Sequence, residues 1–110
     1  MERFTDISLS VSEAASAFAA LGSEQRLLLV QTLVRAGHDG LSVGALSERT
    51  DIGGSTLTHH LKILAAAGLI EQSKAGRVIA CTVAYGHLEA LSDYLLRNCC
   101  ADTDEGHNYG

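Results

Sequence analysis

Proline is absent from the sequence, and no internal repeat or long linker divides it. At 110 residues the chain has the size of one domain, so we expect a single domain over residues 1–110. Residues 1–9 show no clear periodicity, and residues 101–110 are acidic and contain glycine. We therefore expect flexible tails at 1–9 and 101–110.

Long apolar runs are missing as well, since none approaches the length that spans a bilayer. The N-terminus lacks the basic-then-apolar order of a secretory signal, so we expect a cytoplasmic protein with no membrane contact. Cysteine is scarce, with three residues of which Cys99 and Cys100 are adjacent, and this odd number does not indicate a disulfide framework. In a reducing cytosol these are thiols with a structural, redox or metal-binding role.

Positively charged residues are few, since the sequence has 8 Lys and Arg but 13 Asp and Glu, which gives a net charge of −5. That balance argues at first against nucleic acid as a partner. The segment from Arg49 to Arg77, however, carries four cations against two acids, a net of +2, and the C-terminal tail is acidic. Phosphate contact needs only a locally basic face, so nucleic acid is not excluded.

Apolar residues at helical spacing predict four helices in the first two thirds of the chain. Serines stand where helix N-caps are expected, and glycines stand where helices end. The caps are Ser10 or Ser12, Ser23, Ser42 and Ser55. The second helix has a wide apolar face that predicts a central core position, formed by Leu27, Leu28, Val30, Leu33 and Val34.

The stretch GGSTLTHHLKIL, from Gly53 to Leu64, is typical of a DNA-reading helix. Its leucines recur at i, i+4 and i+7 and mark a buried side. The short helix after Ser42 and the glycine-containing turn 51–54 complete a helix-turn-helix. The hydroxyls and imidazole on the other side suit base edges, and the lysine suits phosphate. We therefore predict DNA contact by Ser55, Thr56, Thr58, His59 and Lys62.

The two histidines of this helix receive different predictions. His59 lies on the groove side, with a solvated polar residue as the alternative. His60 lies at the margin of the leucine stripe, so we predict a packed, hydrogen-bonded structural role for it. Neither has a partner at i+4 or a nearby cysteine pair that would make it a metal ligand.

Two short strands, 69–74 and 77–83, follow the reading helix around the turn Ala75-Gly76. A hairpin in this place is a wing, and its tip offers Lys74 and Arg77 to a flanking phosphate, although any hairpin tip tends to be charged. A last helix is predicted from Tyr85 or Gly86 to Cys100. The fold class is therefore mainly α with a β-hairpin, a winged helix-turn-helix.

The string STLTHHLKILAAAGLIEQSKAGRVIACTV resembles the signature S-x-H-L-x-x-L-x-x-A-G-L-I/V…R-x-G-R of the ArsR/SmtB family of small winged-helix transcriptional repressors. LGSEQRLLLVQTL is similar to the helix that precedes it, L-x-x-x-x-R-L-x-I-L-x-x-L. The resemblance implies a homodimer joined by the first and last helices, bound to a palindromic operator and released by an effector. We expect no enzyme, because a thiol reductase would need Cys-x-x-Cys near a βαβ unit, whereas here two cysteines are adjacent and the predicted elements are helices with one hairpin.

The effector is expected at Cys99 and Cys100. The third helix holds no thiol, and His87, Glu89 and Asp93 supply only half of the zinc set that some members carry on the last helix. Adjacent thiols suit trivalent arsenic, and they resemble the ArsR subgroup with a vicinal pair at the end of that helix. We expect no obligatory cofactor and a trivalent arsenical as inducer: methylarsenite or arsenite, with antimonite as a further candidate.

Several alternatives stay open. The pair is a redox or sulfide sensor in one of them and incidental in another, and in a third the protein is a constitutive regulator without effector. Cys81 is the remaining thiol, and its place in an alternating apolar strand predicts a buried, inert side chain.

Overall fold

A computed structural model describes residues 8–103, which form five helices and three strands. In chain order they are α1 (Val11–Leu21), α2 (Glu24–Ala36), β1 (Leu41–Ser42), α3 (Val43–Thr50), α4 (Gly54–Ala66), β2 (Ile70–Ala75), β3 (Val78–Val83) and α5 (Tyr85–Leu96). The predicted mainly α winged helix-turn-helix is confirmed. The predicted order lacked one strand, β1.

The three strands form an antiparallel sheet in the order β1-β3-β2. Leu41 of β1 lies opposite Cys81 of β3, and two residues are too few to show an alternating pattern in the sequence. Gly40 precedes the strand with φ +71°, and a Cβ at this position would lie 2.1 Å from the Cys81 carbonyl oxygen. Glycine therefore allows the close approach of β1 to the hairpin.

One hydrophobic core connects the helices to the sheet. The buried side chains of α1 are small, Ala14, Ala17 and Ala20, and Phe18 and Leu21 of the same helix are partly buried against the core. Larger side chains fill the centre, where the fully buried ones are Leu29, Leu33, Leu46, Leu57, Leu64, Leu69 and Cys81.

Three of the predicted helix caps are confirmed. Ser10 forms a capping box with Glu13, since its hydroxyl accepts from the Glu13 N–H at 3.0 Å while its own N–H donates to the Glu13 carboxylate at 2.9 Å. Ser23 accepts from the backbone of α2, and Ser42 accepts from that of α3. These caps fix where α1, α2 and α3 begin.

The burial of α2 differs from the prediction. Val30 and Leu33 are buried as expected, together with Leu29. The other side of the predicted face, Leu27, Leu28 and Val34, is more than 40% exposed. The predicted central position is confirmed, since α2 packs against α1, α3, α4 and β3, but only one side of its predicted apolar face is buried.

The predicted flexible tail 1–9 is wrong at Leu9, which is buried in the core. Residues 8 and 101–103 of the predicted tails are exposed, and residues 1–7 and 104–110 lie outside the described residues. Within 8–103, no helix is both long and apolar enough to cross a membrane.

The helix α5 packs against α1, and both present apolar side chains to solvent. Val11 is 73% exposed, Leu95 is 67% exposed and Leu96 is 64% exposed. The helix ends at Leu96, because Arg97 is extended (φ −59°, ψ 135°) and Asn98 has φ +64°. The predicted extension of this helix to Cys100 is therefore wrong.

Candidate nucleic-acid interface and thiol pair

A short, well-bonded turn joins α3 to α4. Asp51 adopts φ +60° and ends α3, and Ile52 is buried beneath the turn. The Thr50 hydroxyl donates to the Leu46 carbonyl oxygen at 2.8 Å and accepts from the Ile52 N–H at 3.3 Å. The conformation of the turn is thus supported by a buried side chain and not by the glycines alone.

The reading helix α4 begins one residue before the predicted cap. Gly53 is the N-cap and Gly54, with φ +61°, is the first helical residue, so the prediction of Ser55 as a cap is wrong. Glycine has no side chain to accept a hydrogen bond, and the first turn of α4 therefore has no side-chain cap. Its N–H groups form the positive end of the helix dipole, where a phosphate is favourable.

The predicted groove-facing side chains of α4 share one exposed surface. Ser55, Thr56, Thr58, His59 and Lys62 are all exposed, while Leu57, Leu61 and Leu64 are buried on the opposite side. The Thr58 hydroxyl donates to the Gly54 carbonyl oxygen at 3.3 Å, which leaves its oxygen available as an acceptor. Contact of these five residues with DNA stays a prediction.

The wing is formed by β2 and β3, and its residues from 71 to 79 are exposed. The strands are joined by Gly76 and Arg77 alone, and Gly76 has φ +64°. A two-residue loop with glycine first is typical of a tight hairpin. Arg77 therefore lies in the loop and not at the start of a strand, and Lys74 lies two positions before the loop. Both predicted phosphate ligands are near the tip of the wing.

His60 is buried and hydrogen-bonded, as predicted. Its Nδ1 lies 3.2 Å from the Arg26 guanidinium, and its Nε2 lies 2.8 Å from Gln25 Oε1. Because a guanidinium only donates, Nδ1 accepts and Nε2 carries the proton that is donated to Gln25. Burial of the ring and, next, the positive charge of Arg26 lower the pKa of His60 from 6.5. Both effects favour the neutral form of the imidazole in the folded protein.

Cys99 and Cys100 lie in a turn beyond α5. The Cys99 N–H donates to the Leu96 carbonyl oxygen at 2.9 Å, and Cys100 has φ +64°. Their Sγ atoms are 3.4 Å apart, and both are thiols. Since the helix has ended, Cys99 does not continue the stripe of Leu88, Leu91 and Leu95, and that prediction is wrong.

Cys81 is separate from this pair. It is buried on β3, as predicted, and Gln72 Nε2 donates to its sulfur at 3.6 Å. Burial raises the pKa of the Cys81 thiol, which makes the reactive thiolate scarce. Among the described residues, no group of three or more histidine, cysteine, aspartate or glutamate side chains is placed to hold a metal ion.

Comparison with known proteins gives consistent matches. Residues 21–73 match a helix-turn-helix domain model. An ArsR-like transcriptional regulator from Rhodococcus sp. RHA1 has a similar structure, with a TM-score of 0.70 and 31% identity, covering 86% of this chain and 85% of that one. The transcriptional activator HlyU of Vibrio cholerae is 31% identical over 81 residues, 74% of this chain and 72% of HlyU.

The chain belongs to the ArsR family of winged helix-turn-helix transcriptional regulators. The structure of HlyU matches it with a TM-score of 0.65 and 29% identity, covering 81% of this chain and 94% of HlyU. The uncharacterized regulator YceK of Bacillus subtilis (strain 168) is 38% identical over 63 residues, which are 57% of this chain but only 62% of YceK.

Two contact residues of this ArsR protein were missed by sequence reasoning, Gln25 and Arg26. Arg26 occupies the arginine position in the family-like string LGSEQRLLLVQTL, and His60 occupies the histidine position in the string of the reading helix. Their contact spans 34 positions of the sequence, and helical periodicity carries no information about such pairs. The matches of Arg26 and His60 to these two family positions were the available sequence signal that the two residues have a role.

Proposed function

We propose that the protein is a repressor that binds a palindromic operator as a homodimer and dissociates when a trivalent arsenical binds Cys99 and Cys100. The observation that carries the proposal is the 3.4 Å separation of the two sulfurs on an exposed turn. The family supplies the role in transcription, whereas the arsenical, the repression and the dimer are the proposed part.

Operator binding is supported by the shape and polarity of α4 and the wing. The exposed side of α4 carries hydroxyls and an imidazole that both donate and accept at base edges. Lys62, Lys74 and Arg77 add cations on the same two elements, where the chain is locally basic despite its net charge of −5. We infer that α4 lies in the major groove and that the wing contacts an adjacent phosphate.

The dimer is supported by the apolar surface of α1 and α5. Val11, Leu95 and Leu96 are each about two thirds exposed or more, on two helices that pack together. Large exposed aliphatic side chains on two helices that pack together indicate an association surface. A second copy of the chain would cover the exposed apolar side chains of both helices, because a twofold interface uses the same surface of each protomer.

The donor set of the thiol pair fits a trivalent arsenical. With bonds of about 2.3 Å, as in metal thiolates, sulfurs 3.4 Å apart subtend an angle of about 95° at a shared ion. That angle is narrower than the tetrahedral one of zinc, and zinc also needs two further ligands that residues 8–103 do not bring to the pair. Trivalent arsenic instead accepts two or three thiolates in a pyramidal arrangement.

Methylarsenite matches the number of thiols. Two As–S bonds form as two As–OH bonds break, and each thiol proton leaves with a hydroxyl as water, while the methyl group fills the third position. Arsenite would retain one hydroxyl, because Cys81 is buried on β3 and is not a third ligand. We therefore expect methylarsenite to be the more effective of the two.

Release of DNA follows from the position of the turn. The Cys99 N–H is bonded to the carbonyl of Leu96, so a ligand that reshapes the turn also acts on the exposed leucines at the end of α5. These leucines belong to the proposed dimer surface, and a change there alters the spacing of the two reading helices. The arsenical must bind the conformation with low operator affinity more tightly than the other.

The test uses a fluorescent duplex selected from a random pool by the wild-type protein. Methylarsenite, arsenite, antimonite and zinc are titrated into the complex, and anisotropy reports release. We expect wild type and a Cys81→Ala control to release the duplex with about one methylarsenite per protomer. The double variant Cys99→Ser/Cys100→Ser should bind the duplex and ignore arsenicals. Release of the double variant by methylarsenite would contradict the proposal.

A redox sensor of the same fold is the second candidate, because both sulfurs are thiols on an exposed turn. Consecutive Cα atoms are about 3.8 Å apart, below the 4.4–6.8 Å usual for disulfides. Oxidation therefore favours a disulfide between two subunits over one within the pair. Release by a persulfide or peroxide, reversed by a reductant and accompanied by a cross-linked dimer, would favour this candidate. Insensitivity to every ligand would favour a constitutive regulator.

A further inference from the structure

The side chain of Arg26 makes contacts with two other helices. Its Nε donates to the Ala20 carbonyl oxygen at 2.6 Å, and its guanidinium donates to His60 Nδ1 at 3.2 Å. Ala20 belongs to the last turn of α1, whose carbonyls lack partners within the helix, and His60 belongs to α4. One charged group on α2 thus joins the end of α1 to the reading helix.

His60 is held at both ring nitrogens by consecutive residues of α2. Gln25 accepts from Nε2 while Arg26 donates to Nδ1, so the ring has one tautomer and one orientation. The residue directly before it, His59, is exposed on the side of α4 that is predicted to face the groove. A rotation of α4 about its axis would break both hydrogen bonds before it moved the leucines out of the core.

We propose that Arg26 is a positioning residue that sets the rotation of the reading helix through His60, and thereby the operator affinity. The inference rests on the proposed operator binding but adds a residue that does not itself face the groove. Leucine packing fixes the buried side of α4, yet apolar contacts are non-directional. The hydrogen bonds supply the direction that base recognition requires.

Alternative uses of this arginine are less consistent with its contacts. Arg26 is half-buried, and two of its guanidinium-group nitrogens are engaged within the protein. A phosphate contact would have to compete with the Ala20 carbonyl and with His60. The arginine would then change the salt dependence of DNA binding, which a positioning residue leaves unaltered.

The first measurement compares Arg26→Met with Arg35→Met, which removes the same charge from the exposed end of the same helix. Loss of a charge-assisted hydrogen bond corresponds to about a tenfold loss of affinity for the selected duplex in Arg26→Met. We expect no such loss in Arg35→Met and an unchanged slope of log K against log salt in both. Binding is measured at a temperature at which circular dichroism shows each variant folded.

The second measurement is a double-mutant cycle. His60→Leu removes both hydrogen bonds of the ring, and His60→Gln keeps one donor and one acceptor. We expect His60→Leu to weaken binding as Arg26→Met does, the double variant to be no weaker than either, and His60→Gln to retain most of the affinity. Additive losses in the double variant would mean that the two residues act independently, and the inference would then fail.

A third measurement needs no DNA. Nitrogen-15 NMR of the imidazole should show His60 protonated only at Nε2 at neutral pH in wild type, and exchange between tautomers in Arg26→Met. A His60 protonated at Nδ1 in wild type overturns the inference, as does a salt slope that falls by about one in Arg26→Met. If wild type binds no duplex, operator binding fails as well. If wild type and Arg26→Met bind equally, this inference alone fails.

Discussion

Truncation of Leu95 should weaken the proposed dimer without affecting the fold of the protomer. Leu95 is 67% exposed on α5, so its side chain contributes little to the core of a single copy. In a twofold dimer through α1 and α5 the same side chain is covered by the partner. The substitution Leu95→Ala therefore separates the two roles of α5.

The expected loss follows from the exposed fraction. Leucine to alanine removes three carbons, or about 2.4 kcal/mol when fully buried, at about 0.8 kcal/mol per methylene. With 67% of the side chain left for the partner to cover, the loss is about 1.6 kcal/mol per protomer. A twofold interface contains the residue twice, which gives about 3 kcal/mol per dimer and a dissociation constant weaker by about a hundredfold.

Sedimentation velocity over a dilution series measures this shift directly. Val78→Ala is the matched control, because Val78 is an apolar side chain with 53% exposure on the wing, away from α1 and α5. We expect Val78→Ala to associate as wild type does. Equal association of Leu95→Ala and Val78→Ala, or a wild-type protein that stays monomeric at every concentration, would refute the reasoning.

Two further predictions concern the wing and His60. Arg77→Ala should lower operator affinity and reduce the slope of log K against log salt by about 0.9, whereas Arg35→Ala should not; an unchanged slope would remove Arg77 from the phosphate contacts. Because the pKa of His60 in the folded protein is lowered from 6.5, the ring takes up its proton at a higher pH in the unfolded chain than in the folded protein. Its contribution to the free energy of unfolding is complete above pH 6.5 and is lost as the pH falls below that value. Urea unfolding across this range should show a steeper fall for wild type than for His60→Gln, and equal curves would contradict the assignment.

The sequence was a good guide wherever one segment decides the outcome. The leucines 57, 61 and 64 predicted the buried side of α4, and with it the exposed side, because both follow from one helical period. Ser10, Ser23 and Ser42 predicted three helix starts, since a cap depends on neighbouring residues only. In Ser55 the same reasoning failed, because Gly54 adopts φ +61° and the helix begins before the serine.

Features that depend on distant segments were not predictable in this way. The strand β1 depends on pairing with β3, a distant segment that Gly40 allows Leu41 to approach. The exposed side of α2 looked like core, since the sequence does not say which apolar side chains meet another helix. The end of α5 at Leu96 was not predicted, because helical spacing in the sequence extends from Leu95 to Cys99 and no glycine or proline lies between them. The Arg26–His60 contact depends on how α1, α2 and α4 pack together.

The position of the thiols beyond α5 changes how a ligand is expected to act. In the proposed mechanism, a ligand on a pair within the helix would act along the helix axis. A ligand on a pair in the following turn would act on Leu96, and through it on the neighbouring Leu95, by way of the hydrogen bond from the Cys99 N–H to the Leu96 carbonyl oxygen. A twofold dimer carries two such pairs, and their effects on operator affinity multiply when both are filled. If each arsenical binds the low-affinity conformation about tenfold more tightly, the two together weaken operator binding by about a hundredfold. Under the proposed mechanism, a modest preference at each exposed turn would therefore weaken operator binding strongly without a large rearrangement of the protomer core.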